Sequence, residues 1–210
     1  MYEILTAKEI APKIKLFEVY APEIAKKAKP GQFIMVIIGE KGERVPLTIA
    51  GYNREKGTIT FVFNEVGKTT KQLGLMKEGD RIWNITGPLG RPSDIRYFGK
   101  VLCVAGGVMI APMLLQVRAL REAGNTLVTV IGARIKSLLI FKDEIKALSH
   151  KFYVATDDGS EGYKGLEFLK EILAKEKFDR CIAMGPVSLL KTVCDLTRPF
   201  NTPTIVTLMP

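Results

Sequence analysis

Val101-Leu102-Cys103-Val104-Ala105-Gly106-Gly107-Val108-Met109-Ile110-Ala111-Pro112 decides how the second half of this 210-residue chain folds. An apolar run of strand length ends on two glycines, and the residues after them open an amphipathic helix with Pro112 in its first turn. The same alternation continues downstream. Apolar runs at Val101–Ala105, Leu127–Ile131, Phe152–Ala155, Cys181–Met184 and Thr204–Leu208 read as strands. Between them, Ala111–Glu122, Phe141–Leu148, Gly165–Lys175 and Val187–Leu196 read as helices. Strands alternating with helices predict a parallel sheet covered on both faces, with ligands collecting beyond the carboxyl ends of the strands.

Upstream the rhythm differs. Short β-type runs at Tyr2–Ala7, Ile14–Tyr20, Phe33–Ile38, Leu47–Tyr52, Thr58–Phe63 and Arg81–Thr86 are punctuated by Pro30-Gly31, Gly39–Gly42 and Glu55–Gly57. One helical stretch, Thr69 to about Met76, interrupts them. This pattern predicts a small antiparallel barrel or sandwich. The expected fold class is therefore β followed by α/β, with domains 1–97 and 98–210. The breaker-rich stretch Gly87-Pro88-Leu89-Gly90-Arg91-Pro92 marks the boundary.

Composition narrows the function classes. Apolar residues make up 47% of the chain, which fits a globular protein and argues against a disordered one. No apolar run reaches membrane-spanning length, and Met1-Tyr2-Glu3-Ile4 lacks the layout of a signal peptide, so a cytoplasmic location is expected. The cysteines, Cys103, Cys181 and Cys194, lie far apart in sequence, which excludes CxxC-type metal or cluster spacing. Cys103 and Cys181 fall in apolar runs and read as small buried residues. The net charge of +9 raises nucleic acid as a partner, but the lysines are spread over the whole length and no basic run is interleaved with aromatics. A solvated Lys/Glu surface, or steering toward an acidic protein partner, accounts for the charge instead.

Five stretches carry chemistry, each with a plainer alternative. Arg44-Val45-Pro46-Leu47-Thr48-Ile49-Ala50 offers a cation, a rigid proline and a hydroxyl at the head of a strand; a proline entering an edge strand beside a surface arginine reads the same way. Gly67-Lys68-Thr69-Thr70 opens a helix and offers unpaired N–H groups to a phosphate, or is an ordinary cap after a glycine turn; it lacks Walker A spacing. Gly106-Gly107 at the strand–helix junction lets a pyrophosphate approach the backbone, without being a GxGxxG fingerprint. Thr156-Asp157-Asp158-Gly159-Ser160 and Met184-Gly185-Pro186 fall at strand ends, where ligands collect, and each also reads as a bare turn.

In their order, these stretches resemble the ferredoxin–NADP reductase superfamily across essentially the whole chain. Within it, the likeness is greatest to the electron-transfer subunits of dihydroorotate dehydrogenase and of NADH-dependent ferredoxin:NADP oxidoreductase. The resemblance implies FAD on the barrel and NAD(P)H on the α/β domain. Thr48 would face flavin N5 and act as the catalytic contact, Pro46 and Leu47 would lie against the ring, and Arg44 would meet phosphate. Gly67, Lys68, Thr69 and Thr70 would hold the FAD pyrophosphate, and Gly106 and Gly107 that of the dinucleotide. Arg134, Asp157 and Asp158 would line its adenosine end, and Met184, Gly185 and Pro186 its nicotinamide end.

The resemblance also implies hydride transfer between NAD(P)H and FAD, with a catalytic or iron–sulfur subunit, or ferredoxin, as electron partner. Four departures accompany it. Val45 stands where many relatives carry the arginine, so Arg44 is one residue early, and a one-residue shift on a strand reverses the face. Met109 replaces a glycine, and its side chain is expected to crowd the dinucleotide. That crowding is the basis of the alternative reading, a non-catalytic or regulatory subunit that binds nucleotide weakly. Met184 replaces a cysteine. The cysteine-rich 2Fe–2S segment of such subunits is absent from the sequence, so no residue is offered as a cluster or metal ligand.

Overall fold

The computed structural model describes residues 1–40 and 42–207. They form two compact units, Met1–Ser93 and Asp94 onward. The breaker-rich stretch therefore belongs to the first unit. Gly87-Pro88-Leu89 end a strand, because Pro88 lies on a strand that pairs on one side and needs no second ladder bond.

The first unit is an antiparallel sheet of β1 (Tyr2–Ala11), β2 (Ile14–Tyr20), β3 (Phe33–Ile37), β4 (Arg44–Asn53), β5 (Thr58–Asn64), β6 (Arg81–Ile82) and β7 (Asn84–Leu89). Their pairing order is β6-β1-β2-β5-β4-β3-β7. The strands at the two ends of that order, β6 and β7, are joined by Trp83 alone. A single residue can bridge them only if the sheet curls round on itself, so it is a nearly closed barrel. Its interior is apolar: Phe17, Phe61 and Phe63 are each at most 2% exposed, with Phe17 and Phe63 meeting edge to face at 5.2 Å. Two helices accompany the barrel, α1 (Pro22–Lys27) and α2 (Lys68–Gly74). The strand pattern concealed α1. Its signals are Pro22 at the helix start, Glu23 in the first turn, Lys26 and Lys27 in the last, and a buried Ile24-Ala25 pair.

The second unit is a parallel sheet of β8 (Lys100–Gly106), β9 (Thr126–Ala133), β10 (Lys151–Thr156), β11 (Tyr163–Lys164), β12 (Arg180–Met184) and β13 (Thr204–Thr207). Among the described residues its order is β11-β10-β9-β8-β12-β13. Leu208, expected to end the last strand, lies outside the described residues. The helices are α3 (Ile110–Glu122), α4 (Lys142–Leu148), α5 (Leu169–Lys175) and α6 (Val187–Thr197). Leu102, Val104, Val128, Val130 and Ala183 pack with Leu169, Leu173, Leu190 and Val193 of α5 and α6. Cys103 and Ile131 lie on the other face of their strands and are also fully buried. Burial on both faces explains why these strands read as continuous apolar runs. Cys103 and Cys181 are buried, and burial pushes the Cys103 thiol up to about 12 and Cys181 higher still, so both serve as packing residues.

Asn125, 1% exposed, ties the start of this unit to α3. Its carboxamide oxygen accepts N–H bonds from Phe98 at 2.7 Å and Gly99 at 3.2 Å, and its nitrogen donates to Arg96 and Leu120 carbonyls at 2.9 Å. Asn125→Ala removes the side-chain partner of the Phe98 and Gly99 N–H groups and of the Arg96 carbonyl, while the Leu120 carbonyl keeps the residue-125 N–H, and is expected to cost about 3 kcal/mol of stability, measured by denaturant unfolding.

At the opposite edge from the strand ends, Glu176 bridges Lys100 (2.5 Å) and Lys151, and these ammonium groups hold its carboxyl below the usual value of 4.5. A depressed folded-state pKa contributes stability at neutral pH that is lost as pH falls through it. Glu176→Gln should therefore lower the melting temperature near pH 7 and flatten its decline below about pH 4.5; parallel curves for both proteins would contradict this.

Candidate functional site

In the second unit, strand register gathers the candidate residues at one edge. Gly106 pairs with Gly132, Ala105 with Met184, and Thr156 with Ala133, so β8, β9, β10 and β12 end at the same level. The residues that follow, Gly107, Arg134, Asp157-Asp158 and Gly185-Pro186, leave the sheet side by side.

The two glycines of the quoted stretch differ physically. Gly107 has φ +61°, with nothing within 4 Å of where a Cβ would stand, so it is glycine for its left-handed backbone and opens onto free space. Gly106 is extended, and a Cβ there would meet Leu189 Cδ1 at 2.4 Å. Gly185 faces the same leucine, with 3.2 Å to its Cδ2 and 3.4 Å to the Gly106 nitrogen. Leu189, in the first turn of α6, thus lies over both glycines. Its part was not legible in sequence, because only the fold brings α6 to the end of β8.

Met109 closes the short 3-10 turn Gly107–Met109 and is 2% exposed. The expected crowding of a ligand is therefore corrected: the side chain is buried, and nothing lies within 4 Å of where a Gly107 side chain would stand. Met184 is likewise buried, as the last residue of β12, so the exposed member of Met184-Gly185-Pro186 is Pro186.

Arg134, Asp157 and Asp158 are all exposed and linked through the backbone. The Asp157 N–H donates to Ala133 at 3.1 Å and the Asp158 N–H to the Arg134 carbonyl at 3.3 Å. Ser160 completes the loop by accepting the Lys136 N–H on its hydroxyl at 2.9 Å. The Ser160 hydroxyl and N–H hold the Asp158 carboxyl below its usual range. The buried Thr156 hydroxyl accepts the Glu161 N–H at 3.0 Å and donates to its carbonyl at 2.9 Å. This edge therefore carries an exposed cation, two exposed carboxylates of which Asp158 is held by Ser160, and an open glycine backbone.

In the first unit, β4 sorts its residues by alternation. Leu47 and Ile49 point into the barrel, paired opposite Ile34 and beside Phe61, while Arg44, Pro46 and Thr48 share the other face. The one-residue shift thus leaves Arg44 on the same face as Thr48. Leu47, expected against a planar ring with Pro46, alternates with these residues toward the barrel side and is 8% exposed.

At the start of α2, the Thr70 hydroxyl accepts the Gly67 N–H at 3.0 Å, and the helix begins with Lys71 N–H to the Gly67 carbonyl. The N–H groups of Lys68, Thr69 and Thr70 precede the first helical donor, the Lys71 N–H. Lys68 is exposed, whereas Thr69 is buried and donates its hydroxyl to Glu43 at 2.6 Å. Among the described residues no group of three or more His, Cys, Asp or Glu is arranged to hold a metal ion, and no helix is long and apolar enough to cross a membrane.

No protein-family model matches the chain. Among curated proteins it is 44% identical over 210 residues to the dihydroorotate dehydrogenase B (NAD(+)) electron transfer subunit homolog of Thermotoga maritima, covering 99% of this chain and 74% of that one. It is 34% identical to the probable dihydroorotate dehydrogenase B (NAD(+)) electron transfer subunit of Methanocaldococcus jannaschii, covering 98% and 77%. The solved NADH-dependent reduced ferredoxin-NADP oxidoreductase superposes with a TM-score of 0.93 at 43% identity, over all of this chain and 76% of that one. Phthalate dioxygenase reductase shares the fold, with a TM-score of 0.78 at 23% identity, covering 98% and 67%. With strand ends, barrel and relatives in agreement, the chain belongs to the dihydroorotate dehydrogenase B electron-transfer subunit family and has the ferredoxin reductase fold.

Proposed function

We propose that the chain is a flavoprotein electron-transfer subunit that binds FAD and NAD(P)H, receives hydride from the nicotinamide, and delivers electrons to a partner subunit's redox centre. The observation that carries this reading is the alignment of Gly106-Gly107, Arg134, Asp157-Asp158 and Gly185-Pro186 along one edge of the parallel sheet. Gly107 leaves open space for a pyrophosphate, and the charged pair beyond β9 and β10 suits the polar adenosine end of a dinucleotide.

The first unit fits FAD. Arg44, Pro46 and Thr48 share one face, and Gly67–Thr70 offer backbone N–H groups beside the exposed Lys68. When bound, FAD supplies the exchange between two-electron hydride chemistry and one-electron transfer. The chain's own residues do the remaining work. Pro46 would give a rigid apolar surface, the Thr48 hydroxyl would meet N5, and Arg44 and Lys68 would balance phosphate charge. Side-chain acid–base catalysis plays no part in this reading, since the cofactors carry the reaction.

A 2Fe–2S cluster does not fit the residues present. Cys103 and Cys181 are buried packing residues within the sheet, Cys194 is a single half-buried residue of α6, and among the described residues no group of three or more His, Cys, Asp or Glu is arranged to hold a metal. The reading of a subunit that keeps the fold but binds nucleotide weakly rests on Met109, and burial of that side chain argues against it.

Purified protein reconstituted with FAD should be yellow and should bleach anaerobically with NADH or NADPH. A protein that stays colourless after repeated reconstitution would end the flavin reading. Thr48→Ala should retain FAD yet slow reduction by about tenfold, as expected for one lost hydrogen bond in the transition state, read by stopped-flow absorbance.

The two glycines of the dinucleotide loop separate by a second experiment. Gly106→Ala should lose about 1–3 kcal/mol through the clash with Leu189, and the Gly106→Ala/Leu189→Ala double variant should lose less than the sum of the single losses. Strict additivity in denaturant unfolding would show that the leucine is not what excludes a side chain there.

A further inference from the structure

Glu43 belongs to none of the residues assigned above. It immediately precedes β4, the strand whose outward face carries Arg44, Pro46 and Thr48. Its carboxylate accepts the Thr69 hydroxyl at 2.6 Å, and Thr69, the second residue of α2, is only 8% exposed. The bond thus joins the strand and the helix that are both assigned to one flavin.

We propose that Glu43 is a positioning residue for FAD: by holding Thr69, it fixes the first turn of α2 against the head of β4, so that the phosphate-binding backbone and the ring-binding face are set at one spacing. The inference rests on the flavin reading of Arg44–Thr48 and Gly67–Thr70.

The physical argument turns on which partner is buried. A hydroxyl with so little exposure needs an acceptor, and without Glu43 it must find one by shifting the helix turn or admitting water. Such a shift moves the N–H groups of Lys68, Thr69 and Thr70 together, since they belong to the same turn. A bond from a hydroxyl to a carboxylate is also stronger than a neutral one, so it holds the turn more firmly than a backbone contact alone. The opposite reading is also concrete. A carboxylate near a phosphate-binding turn repels a phosphate, and if repulsion governed, neutralising Glu43 would tighten FAD binding.

The test is a titration of the full apo-chain with FAD and, separately, with riboflavin, which has the ring but no phosphate, followed by flavin fluorescence. Glu43→Ala should weaken FAD binding by about fivefold or more, while riboflavin binds as it does to the unaltered chain. Glu43→Gln, which keeps an oxygen acceptor, should stay within about twofold of the unaltered chain. Thr69→Val should match Glu43→Ala, and the double variant should be no weaker than either alone. Unchanged FAD affinity in Glu43→Ala, equal losses for both ligands, or tighter binding by Glu43→Gln would each overturn the proposal and leave the flavin reading standing. An unaltered chain that binds neither ligand would overturn the flavin reading itself, and the proposal with it.

Discussion

The in-register pairing of β8 with β9 and β12 is the constraint on which the second unit depends. Gly106 opposite Gly132 and Met184 opposite Ala105 bring the strand ends to one level. A parallel ladder carries its bonds at even spacing along its length, so a slip of one residue in β12 would move Gly185 by more than 3 Å and turn its neighbours to the other face. Both faces of the sheet are buried, which penalises any such slip. The helices fix the register by packing, and the register in turn aligns the loops that carry the candidate residues.

The barrel solves a different problem. Its strands alternate, so one face of β4 can be committed to the core while the other stays out of it. Leu47 and Ile49 anchor the strand inward, and this is what holds Arg44, Pro46 and Thr48 outward at fixed spacing. Closure between β6 and β7 through Trp83 keeps the sheet from flattening. Gln32, 8% exposed, pins the entry to β3: its side chain bonds the Lys29 N–H and the Gly90 carbonyl, and its own carbonyl accepts the Ile49 N–H beside Thr48.

Glycine at a strand end has more than one physical cause, and the loop after β8 shows two of them in adjacent residues. Gly107 is favoured by a left-handed backbone with open space around it; at Gly106 a side chain would meet a leucine from α6, which would have to move. A sequence motif cannot separate these causes, because both appear as the same letter. The distinction matters for function, since only the first leaves room for a ligand at the position of the missing side chain.

Much of the architecture was legible in the chain itself. The change from alternating short runs to apolar runs separated by amphipathic helices reports two kinds of sheet, because half-buried and doubly buried strands require different residues. The ends of β2 and the helical stretches of the second unit followed from the same periodicities. Tertiary structure decided the rest. It turned Met109 inward and Leu47 into the barrel, kept Gly87-Pro88-Leu89 in a strand, formed α1 from a stretch without strong periodicity, and brought Leu189 onto Gly106 and Glu43 onto Thr69. Periodicity encodes which face of an element is apolar, whereas contacts between residues 26 and 83 positions apart exist only after the chain has closed on itself.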